Sequence, residues 1–395
     1  MITQPKNYSN WIGPRALFDQ NFIPPTLLYR EKETQTLYSL LNDAISDGFS
    51  LNVLYQGIQG IGKKAIINKV VQEVHETLDD VLNLHKIIVD CTEKSLEEIL
   101  VSIMSDLSTL QHFNLEFSNI LNANLSELWS IFKLMCKRYN GTLILIFNNI
   151  ETIKPEIFKK FLQYGKEIRI NFISTINKII KPSTLDILAE FDLKKKLNYF
   201  SYNQLLEILK QRTRMAFSNE FDITLIEFIT DFIFEQYVPV PGKGIDVLKE
   251  LYPILHQQTK PERREMMGVV QNQFDASQLV DEFNLLNYFS DTDLLNVIFL
   301  DNLSNFFLKS NNYYISSKEL SDMYEISCES IDYEKSSKEF KNILTTLLNI
   351  GIINISKKRN PKSVSFSSDN SISPEYFFIT CNPSQLKAIA DSIFN

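Results

Sequence analysis

The chain has 395 residues, 44% of them hydrophobic, and a formal net charge of −8. That length suits two or three domains with sizeable cores, and the acidic balance weakens any argument for nucleic-acid binding from composition alone while leaving room for a local basic surface. No apolar run is long enough to cross a membrane and Met1–Lys6 lacks the pattern of a secretory signal, so a soluble intracellular protein without membrane partners is expected.

From the N-terminus, apolar runs alternate with helix-patterned stretches, as in a parallel α/β domain. Strands are expected at Leu51–Gln56, His85–Cys91, Thr142–Asn148 and Ile168–Thr175, with helices such as Ser95–Leu110 and Leu125–Tyr139 between them. Cys91, Cys136, Cys328 and Cys381 are far apart with no C-x-x-C pair, and His75, His85, His112 and His256 are equally dispersed. Neither a metal site nor a disulfide framework is indicated.

The first strand runs into Gly57-Ile58-Gln59-Gly60-Ile61-Gly62-Lys63-Lys64, followed by a helical pattern with Ala65, Ile66, Ile67, Val70, Val71 and Val74 apolar. Strand, glycine loop and helix form the setting of a phosphate-binding loop, G-x-x-x-x-G-K-[S/T]. Gly57, Gly60 and Gly62 would let backbone N–H groups face phosphate, and Lys63 would reach the terminal phosphates of ATP or ADP. The last position departs from the pattern, because Lys64 stands where a hydroxyl would hold Mg²⁺. An ammonium ~4 Å from Mg²⁺ at an effective dielectric of ~20 is opposed by about 8 kcal/mol, more than weak coordination offsets. Either Lys64 turns away or it replaces the metal as the charge facing phosphate.

The partner strand points the same way. Leu143–Phe147 is apolar and ends in Asn148-Asn149, where an acidic pair would serve the metal shell and activate water. An amide takes up no proton near neutral pH, so Asn149 is no general base. Glu151, two residues on, is expected to start the next helix. No catalytic residue is assigned: either the site holds nucleotide with Mg²⁺ weak or absent and hydrolysis lost, or Gly57–Lys64 is only a tight turn that binds nothing.

Beyond about Lys181 strand-like runs stop, and helical periodicity continues to about His256, interrupted by the turn-rich Pro239, Pro241, Gly242 and Gly244. After the polar segment Gln257–Arg264, helices are expected at about Asp291–Lys309, Ser317–Tyr324 and Lys335–Asn349. Ile352–Ile355, a charged turn and Ser363–Phe366 then complete a hairpin. Three helices and a hairpin is the order of a winged helix. On the last helix Lys335, Lys338 and Lys341 recur every three residues among Ser337, Asn342 and Thr345, and the hairpin adds Lys357, Lys358, Arg359 and Lys362. These are the candidate DNA contacts. A solvated lysine face and an ordinary charged hairpin would carry the same residues. From Asp281 onward 15 acidic residues outnumber 10 basic ones, and winged helices also bind proteins.

In this order the features resemble the origin-recognition AAA+ initiator family of archaea and eukaryotes, in its compact archaeal form, over nearly the whole chain. Ile23–Glu33, with Pro24, Arg30, Glu31 and Glu33, is similar to the segment ahead of that family's phosphate loop. Val89-Asp90-Cys91 and Leu143–Phe147 follow, and Ile176-Asn177 stands where the family keeps its sensor-one Asn. Leu197–Arg212 is similar to the F-x-x-Y-x-x-x-x-L-x-x-I-L-x-x-R opening of the lid, and Leu344–Ile353 to the end of the winged helix. The resemblance implies an α/β P-loop AAA+ domain (1–183), a helical lid (184–262) and a C-terminal winged helix (263–395), with nucleotide held between the first two. It implies DNA as a ligand and other AAA+ initiator subunits or a replicative helicase as partners. The location implied is cytoplasmic, nucleoid-associated in an archaeon, or nuclear in a eukaryote.

Departures from the family pattern are concentrated among its charged parts. The lid region Pro241–Leu248 has no sensor-two Arg; Lys243 is a point charge without the guanidinium fork, and Gly242–Gly244 reads as a plain helix-entry turn. Only Lys178 and Lys181 stand where an inter-subunit arginine finger would be. Cys91–Asn124, a DNA contact in the family, holds Lys94 alone against Glu93, Glu97, Glu98, Asp106 and Glu116, so phosphate contact from it is not expected. Three functions follow: an initiator-like DNA binder with nucleotide as a structural ligand, a non-catalytic subunit assembling with an active AAA+ partner or a helicase, or a working ATPase using unorthodox residues.

Overall fold

The computed structural model describes residues 11–111, 120, 123–177, 186–218, 221–257, 262–274, 294–310, 312–359 and 375–394. They form two compact units, one of residues 21–199 and one of residues 11–20 with 200–395.

In the first unit β1 (Asn52–Gln56), β2 (Leu84–Asp90), β3 (Thr142–Asn148), β4 (Asn171–Ile176) and β5 (Leu193–Lys196) make one sheet in the order β2-β3-β4-β1-β5. All four pairings are parallel. β1 and β4 are buried along their whole length, as near-continuous apolar strands are when helices cover both faces. The helices are α1 (Glu31–Asp47), α2 (Lys63–Leu82), α3 (Leu96–Gln111), α4 (Leu125–Arg138) and α5 (Pro155–Ile168). α4 starts where it does because Asn124 and Glu127 form a reciprocal capping box. Against β3, Phe147 meets Phe158, Phe161 and Phe172 with ring centroids 5.3, 5.5 and 5.7 Å apart. This aromatic layer fixes the sheet on which the glycine loop sits.

Two strand expectations need correction. The strand expected at Ile168–Thr175 begins at Asn171, because Ile168 closes α5 and Arg169 takes the left-handed conformation (φ 63°) that ends it. The expectation that strands stop after about Lys181 misses β5. Its sequence Leu-Lys-Lys-Lys has no apolar run, since it is an edge strand with alternate residues exposed, and lysines on an edge block pairing with another chain. It aligns on β1 from Val53–Leu193 to Gln56–Lys196, so the sheet draws on residues beyond 183.

The second unit opens with α6 (Tyr202–Ala216), started by a Ser201–Gln204 capping box, then α7 (Ile223–Gln236), α8 (Pro241–Gln257) and α9 (Arg263–Asn272). Residues Leu225–Ile233 of α7 are all buried, so it is the central helix of its unit. The turn-rich stretch from Pro239 to Gly244 leads into α8, whose first helical residue is Pro241, so Gly242–Gly244 form the helix entry expected of them. Proline suits a first helical position, and Gly244 is set by packing: a Cβ there would lie 2.5 Å from Leu209 and 3.1 Å from Ile233.

α10 (Leu294–Lys309), α11 (Ser317–Ser330) and α12 (Ser337–Ile350) follow. α11 runs six residues past the expected Tyr324. β6 (Ile315–Ser316), β7 (Ile353–Ile355) and β8 (Tyr376–Ile379) form an antiparallel sheet in the order β6-β8-β7, and α13 (Pro383–Phe394) closes the chain. The hairpin partner expected at Ser363–Phe366 lies outside the described residues. The strand pairing with β7 is Tyr376–Ile379.

Candidate functional site

Gly57–Lys64 joins the end of β1 to α2, at the carboxyl edge of the sheet, where open α/β folds place their ligands. Gly60 and Gly62 have φ of 82° and 104°, a region side-chain-bearing residues avoid. Gly62 is the N-cap of the 20-residue α2 and provides no side-chain cap. Its first-turn N–H groups therefore form the anion-binding end of a helix. Arg30 supports the loop from behind, donating to the carbonyls of Ile61 (3.4 Å) and Asn198 (2.9 Å).

Lys63 lies inside the loop it serves. Its ammonium donates to the carbonyl of Gly57, to that of Ile58 at 3.0 Å and to Asn177 Oδ1 at 2.9 Å. Burial lowers its pKa to about 8, with the nearby Glu151 opposing that shift and Lys64 adding to it. Lys64 turns away from the loop. Its Nζ lies 3.5 Å from Asp90 Oδ2 at the end of β2, both side chains being about half exposed.

The two lysines are joined by a chain of hydrogen bonds across three strand ends. Asn177 Nδ2 donates to Asn149 Oδ1 (2.7 Å), and Asn149 Nδ2 donates to Asp90 Oδ1 (3.0 Å) and Thr92 Oγ1 (2.9 Å). Burial would raise the Asp90 pKa, but hydrogen bonds from Thr92 and Asn149 and the charge of Lys64 outweigh it and hold the group below its ordinary value. Asn149 adopts a left-handed conformation (φ 60°), which Asn tolerates better than most residues. Asn148 points inward and accepts from Thr175 Oγ1 at 3.3 Å. Glu151 sits in a short 3₁₀ turn, Ile150–Thr152, rather than opening α5, and its Oε1 accepts from Asn177 N–H at 3.1 Å.

The arrangement thus brings together Gly57, Gly60, Gly62, Lys63, Asn149 and Asn177, and sets Lys64 beside them on Asp90. Among the described residues no group of three or more His, Cys, Asp or Glu side chains is placed to hold a metal ion. The uncapped helix end and Lys63 fit a phosphate group. The amides at 148 and 149 can donate to oxygen or accept from N–H and O–H, but cannot act as bases. Asp90, Thr92 and Glu151 were not singled out from sequence for this site. Their signal was position: each lies at or just past the carboxyl end of β2 or β3.

Of the cations expected from the lid and the arginine-finger position, only Lys243 lies among the described residues. Lys243 donates to the carbonyl of Gln273 and stands over the rings of Tyr237 and Phe274, at 5.7 and 5.0 Å. That local role accounts for it without phosphate. Lys178, Lys181 and Lys362 lie outside the described residues.

In the second unit Lys335 precedes α12 rather than lying on it, and its ammonium pairs with Glu325 (3.0 Å) and Glu329 (2.8 Å) of α11. On α12 itself Ser337, Lys338, Lys341, Asn342 and Thr345 are exposed. Among the described residues Lys338 and Lys341 make no ion pair. The turn after β7 differs: Lys357 Nζ lies 3.0 Å from Glu235, Lys358 Nζ 3.2 Å from Glu227, and the Arg359 guanidinium 3.5 Å from Glu227.

No family model matches the sequence, and no curated protein does. Solved structures do match. Cdc6p from Pyrobaculum aerophilum is similar over 96% of this chain and 97% of its own, with a TM-score of 0.72 at 16% identity. The ORC1 protein of Aeropyrum pernix, solved in complex with DNA, is similar over 96% of each chain with a TM-score of 0.57 at 15% identity. The ORC2 protein of the same organism, solved as ADPNP-ADP complexes, covers 96% of this chain and 97% of its own, with a TM-score of 0.55 at 17% identity. The chain therefore has the fold of the Cdc6 and ORC origin-recognition AAA+ proteins: a five-stranded parallel sheet with flanking helices, then a helical region and a small antiparallel sheet compatible with a winged helix.

Proposed function

We propose that this protein is a replication-initiator-like AAA+ protein that binds duplex DNA and holds an adenine nucleotide as a structural ligand without hydrolysing it. The observation that carries this reading is the state of the two loop lysines. Lys63 rests on neutral acceptors inside the loop, and Lys64 rests 3.5 Å from a half-exposed carboxylate. An ion pair that exposed is worth at most about 1 kcal/mol. Lys64 can therefore leave Asp90 at little cost and meet phosphate as a second positive charge, taking over charge neutralisation that Mg²⁺ would otherwise supply. The first-turn N–H groups of α2 and Lys63 would hold the phosphates. With Asn148 and Asn149 in place of an acidic pair, no described side chain on β3 can orient and deprotonate water. The nucleotide complexes of the Aeropyrum ORC2 protein support the nucleotide, and the DNA complex of its ORC1 protein supports the DNA.

DNA contact rests on the exposed face of α12, where Lys338 and Lys341 flank Ser337, Asn342 and Thr345. Fluorescence anisotropy with duplex DNA over a salt series tests it, because each phosphate contact makes affinity fall with salt. A steep slope is expected. A flat response, or no binding at low salt, would overturn the DNA reading. ATP turnover should equal that of Lys63→Ala, and a rate that disappears with Lys63 would show a working ATPase.

A second reading is a non-catalytic subunit that joins an active AAA+ partner or a helicase without touching DNA. The pairing of Lys357, Lys358 and Arg359 with Glu227 and Glu235 favours it. Co-purification of a replication AAA+ protein by a form that fails the DNA assay would select this reading over the first.

A further inference from the structure

Helix α7 lies at the centre of its unit yet carries three carboxylates at four-residue intervals, Glu227, Asp231 and Glu235, which helical geometry puts on one face. All three are engaged by the turn that follows β7. Asp231 is 1% exposed. Its Oδ2 accepts from Tyr314 Oη and Ser356 Oγ, both at 2.8 Å, and its Oδ1 from the backbone N–H of Lys357 at 3.0 Å. That inner set fixes the base of the turn. The outer two carboxylates act on side chains. Glu235 takes the ammonium of Lys357, while Glu227 takes both Lys358 and Arg359. Arg359 also stacks over Tyr314 and Tyr376, 4.3 and 5.2 Å from the ring centroids.

The inner and outer contacts differ in how readily they exchange. Asp231 is buried and bound by several donors, so displacing the turn as a whole is costly. Lys357 and Lys358 remain 46% and 36% exposed on long, flexible stems. Their ammonium groups can exchange a carboxylate for a phosphate while Asp231 keeps the backbone in place. A polyanion must compete with Glu227 and Glu235 for these cations, and a cation already neutralised releases fewer counterions when it binds.

We propose that Glu227 and Glu235 form an internal mask over the phosphate-binding cations of the turn, so that in the resting protein these cations are less available to a phosphate backbone than Lys338 and Lys341 of α12. This rests on the DNA reading above and adds an autoinhibitory contact to it.

The test compares wild type with Glu227→Gln/Glu235→Gln, and with Glu235→Gln alone, which frees Lys357 without altering the more buried Glu227. Two readouts are taken: the salt slope of duplex-DNA binding, and the rates at which Lys357 and Lys358 react with an amine-labelling reagent, followed by mass spectrometry. Unmasking two to three cations should steepen the slope by between about 1.8 and 2.7, and adding Lys357→Ala/Lys358→Ala should reverse the gain. In wild type Lys357 and Lys358 should label several-fold more slowly than Lys338 and Lys341, and the difference should vanish in the double Gln form. An unchanged slope with unchanged labelling overturns the mask. If no form binds DNA, the DNA reading fails, and labelling alone decides: equal rates for all four lysines in wild type overturn the mask, and slow Lys357 and Lys358 that speed up in the Gln forms uphold it.

Discussion

The glycine loop and the turn after β7 both tie up the cations they would offer to phosphate, but with different acceptors. Lys63 is held by two carbonyls and an amide, neutral groups that a polyphosphate outcompetes on charge. Lys358 and Arg359 share one carboxylate, Glu227, which an incoming phosphate must match charge for charge. On the proposed reading the loop is ready for its anion and the turn is guarded against one. Lys64 lies between these cases: it pairs with a carboxylate, but one exposed enough that the pair holds weakly.

Five variants and one titration probe this contrast, and the largest effect belongs to the guarded site. Asp231→Ala leaves two hydroxyls and an N–H unpaired in a buried place and should cost about 3 kcal/mol or more in denaturant unfolding. Asn149→Ala, in the more open loop network, should cost about 1 kcal/mol. Comparable losses would erase the distinction between the two sites. Lys63→Ala removes a charged donor and should weaken nucleotide binding by about 1.5–3 kcal/mol, measured by calorimetry, with the melting temperature little changed. On the DNA side, Lys338→Ala/Lys341→Ala should lower the salt slope by about 2, whereas Lys357→Ala/Lys358→Ala in otherwise wild-type protein should barely move it. Equal losses from both pairs would mean the turn is not masked.

The pH dependence carries the most specific signal. In the free loop Lys63 ionises at about 8, below its ordinary 10.5. Between those values the unfolded chain binds more protons than the folded one, so this group makes stability rise with pH from about 8 to 10.5. Nucleotide binding has the opposite sign. It favours the ammonium, so affinity should fall above pH 8, by up to about tenfold per pH unit, and Lys63→Ala should flatten that fall. Affinity constant to pH 10 would mean that Lys63 does not face the phosphates.

Much of this molecule was legible in its sequence because the informative patterns are local. β1 and β3 follow from short apolar runs, and the loop from glycine spacing with Lys63 behind it. What escaped depends on partners distant in the chain. β5 is a strand only because its backbone meets β1; its Leu-Lys-Lys-Lys sequence carries no strand signal. Lys64 and Asp90 are 26 positions apart and meet where the first turn of α2 approaches the end of β2. Glu227 and Arg359 are 132 apart, so the cations of the turn looked available when the chain was read in order. Local charge counting detects a cation but not the carboxylate that another element brings to it.

The direct test of a loop that takes nucleotide without metal is a calorimetric titration with ATP, in EDTA and in Mg²⁺, on wild type and on Lys64→Thr. The wild-type protein should bind at least as tightly in EDTA as in Mg²⁺, and Lys64→Thr should reverse that preference. Wild-type binding that appears only with Mg²⁺, or no binding in either, would contradict the role given to Lys64.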